Sequence, residues 1–458
     1  MLLPLAAAAA ALAAAPAALA GPGLFIGTAD DGAVWGDASS QMALAQQAGF
    51  DSARLTAQWV SGNTKLDPVI ASKLRVAVAA AQAHGIRPVV SIYNVNSVQA
   101  PGDPILRGEF AQFAQDVVTT LPAVKTFIVG NEPNSSYYWQ PQFDTRGGDL
   151  AAVNYEALLA DTYDAIKAVR PDATVIGGAL DSMGTDNPKT RPSHSPLVFI
   201  ADMGRAYRAS KRTRPIMDVF DQHVYEESSS LPPSMTHRSS STIGIADYPK
   251  LVAALAQAFG GNLPIVYGEY GVESIIPPAE ASHYNGHENA TAKPVDEATQ
   301  AAYYRQAIQL AFCDPTVKGF FVFHAIDEKA MTGWQSGVYY PDDTPKTSLA
   351  GVKAAMDDAR RGIVAQCPSL GLTPKATVTQ EGPVLTMTCD LDCSYVAQLY
   401  RGAGKLIVSK HGRAVGGTPT TLPFRVPRAK ATYRLRVSLL APVNPGKAGL
   451  LRRVVAPG

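Results

Sequence analysis

Phe127-Ile-Val-Gly-Asn-Glu-Pro-Asn134 is a short apolar run that breaks at Gly130 and delivers Asn131 and Glu132 before Pro133 removes the next ladder donor. A second stretch, Ile265-Val-Tyr-Gly-Glu-Tyr-Gly271, repeats the device with Glu269 between Gly268 and Gly271. The two carboxylates stand 137 positions apart, so the fold between them decides whether they meet.

Outward from these stretches, from Gly23 to about Cys367, apolar runs alternate with helix-length amphipathic segments. The predicted strands are 24–28, 52–56, 88–93, 126–129, 174–177, 219–225, 264–267 and 319–324, and the predicted helices include 67–84, 105–121, 154–170, 249–259 and 297–312. Eight strand–helix units spell an α/β (β/α)8 TIM barrel. Loop lengths agree. Helix-to-strand links such as 83–87, 169–173 and 260–263 are brief, whereas strand-to-helix links such as 135–153, 181–196, 226–248, 272–296 and 325–346 are long. Long loops suit the C-terminal face, where barrel sites are built, and Glu132 and Glu269 both fall on it.

After Pro368 the pattern becomes alternating, as in Tyr433, Leu435, Val437 and Leu439 interleaved with Arg434, Arg436 and Ser438. The expected organisation is a barrel over 21–368, a tight hinge near 369–374 and a small Ig-like all-β sandwich over 371–458. Residues 1–20, with an apolar alanine-rich run ending Ala18-Leu-Ala20, read as a signal peptide that directs secretion. Its n-region lacks Lys and Arg, which leaves an uncleaved anchor or a misplaced start as alternatives. No later stretch is long and apolar enough for a membrane span.

With 458 residues, 46% hydrophobic and 17% charged, the chain is globular in composition rather than disordered. Net charge is +1 but uneven: residues 371–458 carry 13 Lys/Arg against 3 Asp/Glu, and the rest carries 27 against 36. A basic tail can contact an anionic cell surface or polymer, or can simply be solvated. Four cysteines in an exported chain allow three pairings; Cys389 with Cys393 would leave Cys313 with Cys367, and four unpaired thiols is the alternative.

The Asn131-Glu132-Pro133 tripeptide with Gly268-Glu-Tyr-Gly271, together with Arg54 ending strand two and His223-Val-Tyr225 ending strand six, resembles retaining glycoside hydrolases of clan A, the cellulase-like enzymes of the family 5 and family 39 type. The resemblance spans roughly residues 24–360 and implies an O-glycosidase acting on an oligo- or polysaccharide, which the leader would make a secreted one. Glycosidic cleavage passes through an oxocarbenium-like state, which needs a proton donor at the leaving oxygen and an anion beneath the anomeric carbon. The resemblance makes Glu132 the acid/base and Glu269 the nucleophile of a double displacement. It also implies that Arg54 and Tyr225 hold Glu269 ionised, that Asn131 binds the sugar 2-hydroxyl and that His223 orients the acid or a hydroxyl. Alternatives stay open for each: a rim ion pair for Arg54, a core histidine for His223, a turn cap for Asn131.

These enzymes carry a Trp at the end of strand eight, and Gly319-Phe-Phe-Val-Phe-His-Ala-Ile-Asp327 has none. Phe323, His324 or Trp334 are the candidate replacements, and the sugar is left open. Trp35, Tyr93, Tyr137, Tyr138, Trp139 and Trp334 are candidates to stack on sugar faces, or to pin loops. Asp30, Asp31 and Asp327 are candidates to bind hydroxyls or to face water. Asn289-Ala-Thr291 fits a glycosylation sequon.

No phosphate-cradling or dinucleotide motif is present, the first strand lacks the His-x-His of barrel metal hydrolases, and the acidic barrel disfavours nucleic acid. The expectation is a monomer working without cofactor or metal. The rivals are a silent carbohydrate-binding cell-wall scaffold and a transglycosylase using the same two glutamates.

Overall fold

A computed structural model describes residues 23–261, 263–362 and most of 372–456. The leader expected over 1–20 lies outside the described residues. Eight parallel strands close a barrel in chain order: β1 Phe25–Ala29, β2 Ser52–Trp59, β3 Arg87–Asn94, β4 Thr126–Val129, β5 Thr174–Leu180, β6 Val219–His223, β7 Ile265–Tyr270 and β8 Val317–Val322. Every expected strand is there, several longer than their apolar runs. The helices are α1 Gly32–Trp35, α2 Ala38–Ala48, α3 Pro68–Ala83, α4 Pro104–Thr120, α5 Leu150–Val169, α6 Pro196–Ala209, α7 Tyr248–Phe259, α8 Glu297–Cys313 and α9 Leu349–Arg360. Their starts are chemically marked. Asp67 and Asp103 each accept two amides of the first turn and are followed by a proline whose missing N–H costs nothing there.

Two apolar layers hold the barrel. Inside it, Ala29, Val89, Ile128, Ile176, Ala179, Val266 and Phe321, drawn from six strands, form a closed cluster. Outside it, strand residues such as Leu55, Val90, Phe127 and Phe320 pack against helix residues such as Leu74, Phe110, Leu159 and Ile308.

The C-terminal region is all-β, as expected. A three-stranded antiparallel sheet pairs β9 Leu372–Thr379, β10 Gly382–Cys389 and β13 Thr420–Pro423; a four-stranded one holds β11 Cys393–Arg401, β12 Lys405–Ala414, β14 Ala431–Leu439 and β15 Gly449–Ala456. The alternation predicted for 433–439 appears as buried Tyr433, Leu435 and Val437 against exposed Arg434 and Arg436. The strand at Thr420–Pro423 is followed by Phe424, a buried anchor. Arg413 of β12 donates to the carbonyl of Ser230 in the β6–α7 loop, joining this region to the barrel mouth. Cys313 is disulfide-bonded; Cys367 and the side chains of Cys389 and Cys393 lie outside what is described. Among the described residues no helix is long and apolar enough to cross a membrane.

Candidate active site

The chain leaves β4 through Gly130 at φ +89°, where a Cβ would come within 2.8 Å of the Tyr155 ring. Tyr155 itself donates to the Val129 carbonyl at 2.6 Å and accepts the Gly178 amide at 2.8 Å, tying β4 to β5. Glu132 follows at φ +43°, a left-handed conformation that costs a non-glycine residue on the order of 1–3 kcal/mol. Its amide donates to Ala179 at 2.7 Å. A strained glutamate at a strand end is a placement that the surrounding barrel must enforce.

Glu269 is presented differently, from within β7. The register of β6 against β7 slips between Asp221 and His223, so that His223 stands opposite Glu269. Buried Asp221 accepts the Gly268 amide at 2.8 Å, in space that a Cβ on residue 268 would enter at 2.2 Å. Gly268 is therefore required by close approach, and it fixes where the next residue emerges.

The two carboxylates meet. One oxygen of each, with a ring nitrogen of His223, lie within 4.8 Å of one another. His223 Nδ1 sits 3.0 Å from Oε1 of Glu132 and 3.4 Å from Oε2 of Glu269. The Arg54 guanidinium donates to Oε1 of Glu269 and, at 3.2 Å, to the Gly268 carbonyl; the Tyr225 hydroxyl donates to Oε2 of Glu269 at 3.0 Å. Charge follows from this wiring. Burial works to raise the Glu269 carboxyl, but His223, Arg54 and the hydrogen bonds from Arg54 and Tyr225 bring it below its ordinary value. Glu132 moves the other way, pushed up to about 8 by burial and then by the charge on Glu269, with Arg54 opposing. At neutral pH the pair is one carboxylate beside one carboxylic acid.

A cavity of about 750 Å³ opens over this pair. Asn131 lines it, with its Oδ1 buried and without a hydrogen-bond partner in the protein. Trp334, carried in by the β8–α9 loop, lies tilted against Tyr225 at 4.9 Å and meets Phe323 edge-on at 5.7 Å, so an aromatic surface forms although β8 ends without a tryptophan. His324 also lines the cavity, with Nε2 3.1 Å from Glu328 and Nδ1 against the Ala29 carbonyl. Trp35 is 59% exposed at the rim beneath Lys73, and Tyr93 and Tyr138 line the wall while Tyr137 faces out.

Trp139 is a correction to the expectation of sugar contact. It is 2% exposed, packs edge-on against Tyr155 and does not line the cavity, so it anchors the β4–α5 loop instead. The three aspartates are likewise engaged by protein. Asp30 accepts from the Gly32 amide, Asp31 from the Thr56 amide, and Asp327 pairs with buried Lys346 at 2.7 Å. Two further aspartates carry no signal in the sequence: Asp181, a cavity residue pushed up to about 7 by burial and by Glu132, and Asp221, pushed up to about 6 by burial. Asp181 follows the end of β5 and Asp221 lies within β6, each a lone aspartate with no local pattern to mark it.

No protein-family model matches the chain, and no curated protein does. Solved structures do. A family 39 glycoside hydrolase from the gut symbiont Bacteroides cellulosilyticus WH2 is similar at 18% identity and TM-score 0.53, over 87% of this chain and 81% of that one. The β-glycosidase BGL167 is similar at 16% identity and TM-score 0.52, over 76% of this chain and 98% of that one. At such identities the likeness is one of fold.

Proposed function

We propose that the chain is a retaining glycoside hydrolase that cleaves O-glycosidic bonds of an oligo- or polysaccharide by double displacement, with Glu132 as acid/base and Glu269 as nucleophile. The observation that carries this reading is the pair itself: carboxyl oxygens within 4.8 Å of each other, one group held ionised and the other held protonated. Retaining glycosidases set their carboxyl groups about 5–5.5 Å apart, whereas inverting ones leave about 6.5–9.5 Å for a water. The close pair supports the covalent route, and the likeness of the barrel to solved glycosidases agrees with it.

In the first half-reaction the carboxylate of Glu269 attacks the anomeric carbon as Glu132 gives its proton to the departing glycosidic oxygen. Once Glu269 is esterified its negative charge is gone, which removes one cause of the raised affinity of Glu132 for a proton. Glu132 is then better suited, as a carboxylate, to take a proton from water. That water attacks the same carbon, breaks the bond to Glu269 and regenerates both groups. Asn131 accepts from the sugar 2-hydroxyl, the Trp334–Tyr225 surface supports the ring, and His223 Nδ1, between two carboxyl groups, holds both in line.

An export signal over 1–20 and work outside the cell belong to the same proposal, as does contact of the basic C-terminal region, with Arg434 and Arg436 exposed, with an anionic surface. Digestion of a panel of aryl glycosides and polysaccharides by the full chain tests the assignment. Turnover abolished by Glu269→Gln on every substrate, and strongly lowered by Glu132→Gln on the polysaccharides, supports it; binding without turnover by the native protein overturns it in favour of a scaffold.

A further inference from the structure

The β6–α7 loop holds a second cluster that glycosidic chemistry does not use. His237 is pinned on three sides. Its amide and Nδ1 both meet the Asp247 carboxylate, at 3.0 and 2.7 Å, and its carbonyl accepts from Lys250 Nζ at 2.9 Å. That leaves Nε2 facing two carboxylates, 3.2 Å from Oε2 of Glu227 and 3.4 Å from Oε2 of Glu226. The Glu226 side chain is 3% exposed, and neither of its oxygens has a hydrogen-bond partner. A buried carboxyl group with neither oxygen hydrogen-bonded is rare in native proteins and calls for an explanation such as an ion.

We propose that Glu226, Glu227 and His237 bind a divalent cation of the zinc or manganese class at the wall of the cavity, clipping the β6–α7 loop in place. The three side chains offer ligand atoms that lie within 4.8 Å of one another, close enough to share one ion. The donor set, one imidazole nitrogen and two carboxylates, suits such a borderline ion better than calcium or magnesium, which favour oxygen alone. Asp247 completes the arrangement usual behind a ligating histidine: a carboxylate on the far ring nitrogen that fixes tautomer and orientation. Room for the ligand is kept by Gly244, where a Cβ would come within 2.6 Å of Oε1 of Glu226 and 3.1 Å of the His237 ring. The consequence reaches the substrate side, because Glu226, Glu227, Ser228, Ser229 and Leu231 all line the cavity.

The full chain, stripped with a chelator, is titrated separately with zinc, manganese and calcium chlorides, following heat of binding and bound metal after dialysis. The proposal expects one zinc or manganese ion per chain, retained in Glu132→Gln and in His283→Gln, which remove the other two carboxylate–histidine clusters. Glu226→Gln and Gly244→Ala, which crowds the site without replacing a ligand, each weaken binding at least tenfold, and Asp247→Asn weakens it about 10–100-fold. Cobalt(II) substitution gives a visible spectrum with a nitrogen ligand that His237→Gln abolishes. No ion on the native chain, or an ion held equally well by folded Glu226→Gln and Gly244→Ala, overturns the proposal. If Glu226→Gln does not fold, Gly244→Ala decides.

Discussion

One carboxyl oxygen of Glu132 lies within 4.8 Å of one of Glu269, although the first leaves β4 in a left-handed turn and the second is an integral residue of β7. Closure of the barrel makes the contact. Two carboxyl groups this close do not ionise together, and the fixed cation of Arg54 chooses Glu269 as the one that does.

The pH dependence of kcat/KM should therefore be bell-shaped. Glu132 must be protonated, so activity falls as pH rises through about 8. Glu269 must be ionised, and its carboxyl lies below the ordinary value of 4.5, so the acid limb falls beneath that. Initial rates across pH with an aryl glycoside check this. Glu132→Gln should lower kcat by about 10²–10⁴-fold on substrates with poor leaving groups, where acid assistance matters most, and less on activated aryl ones.

Replacing Arg54 with Met removes the partner that keeps Glu269 charged. The acid limb should move to higher pH, since loss of a neighbouring cation raises a carboxyl group's proton affinity. Breaking a buried ion pair on one side also costs about 3–5 kcal/mol of stability. Denaturant unfolding and the pH profile measure the two effects separately.

Stability should rise on mild acidification. Burial lifts Asp149, Asp181 and Glu273 to about 7 and Glu132 to about 8. The unfolded chain gives up these protons near the ordinary carboxyl values, so the folded state binds more protons between there and about 8, and loses stability as pH rises through that window. Glu269 and Glu328 are shifted down, so their contribution is lost only as pH falls below the ordinary carboxyl range. Thermal midpoints should be higher at about pH 5.5 than at about pH 8.

Charge and aromatic surface narrow the substrate. Among the described residues lining the cavity, eleven are Asp or Glu, while Arg54 and His324 are the basic ones and both already face carboxylates. Aryl glucuronides should be poorer substrates than the matching neutral glucosides. Trp334→Ala should lower kcat/KM by about 3–10-fold, the worth of an aromatic contact of about 0.5–1.5 kcal/mol. Parallel kinetics on the paired substrates test both.

Much of this was legible in the chain because it is written locally. Strand ends carry their own punctuation, as at Gly130 and Pro133, and loop lengths separate the two barrel faces. Asp67-Pro68 and Asp103-Pro104 mark helix starts. What was not legible depends on distant packing. Trp139 and Trp334 look equally suited to a sugar, yet one is driven beneath a loop by Tyr155 while the other is carried over Tyr225. His223 stands opposite Glu269 only because of a register slip between β6 and β7, and His237 meets Glu226 only because the intervening loop folds back. Such relations have no spacing to betray them.

The central claim, attack by Glu269 on the anomeric carbon with Glu132 as acid/base, is tested most directly by proton NMR of the first product formed from an anomerically pure substrate. The account predicts retained configuration in the native protein, and inverted configuration from Glu269→Gly rescued with azide. An inverted product from the native protein would contradict it.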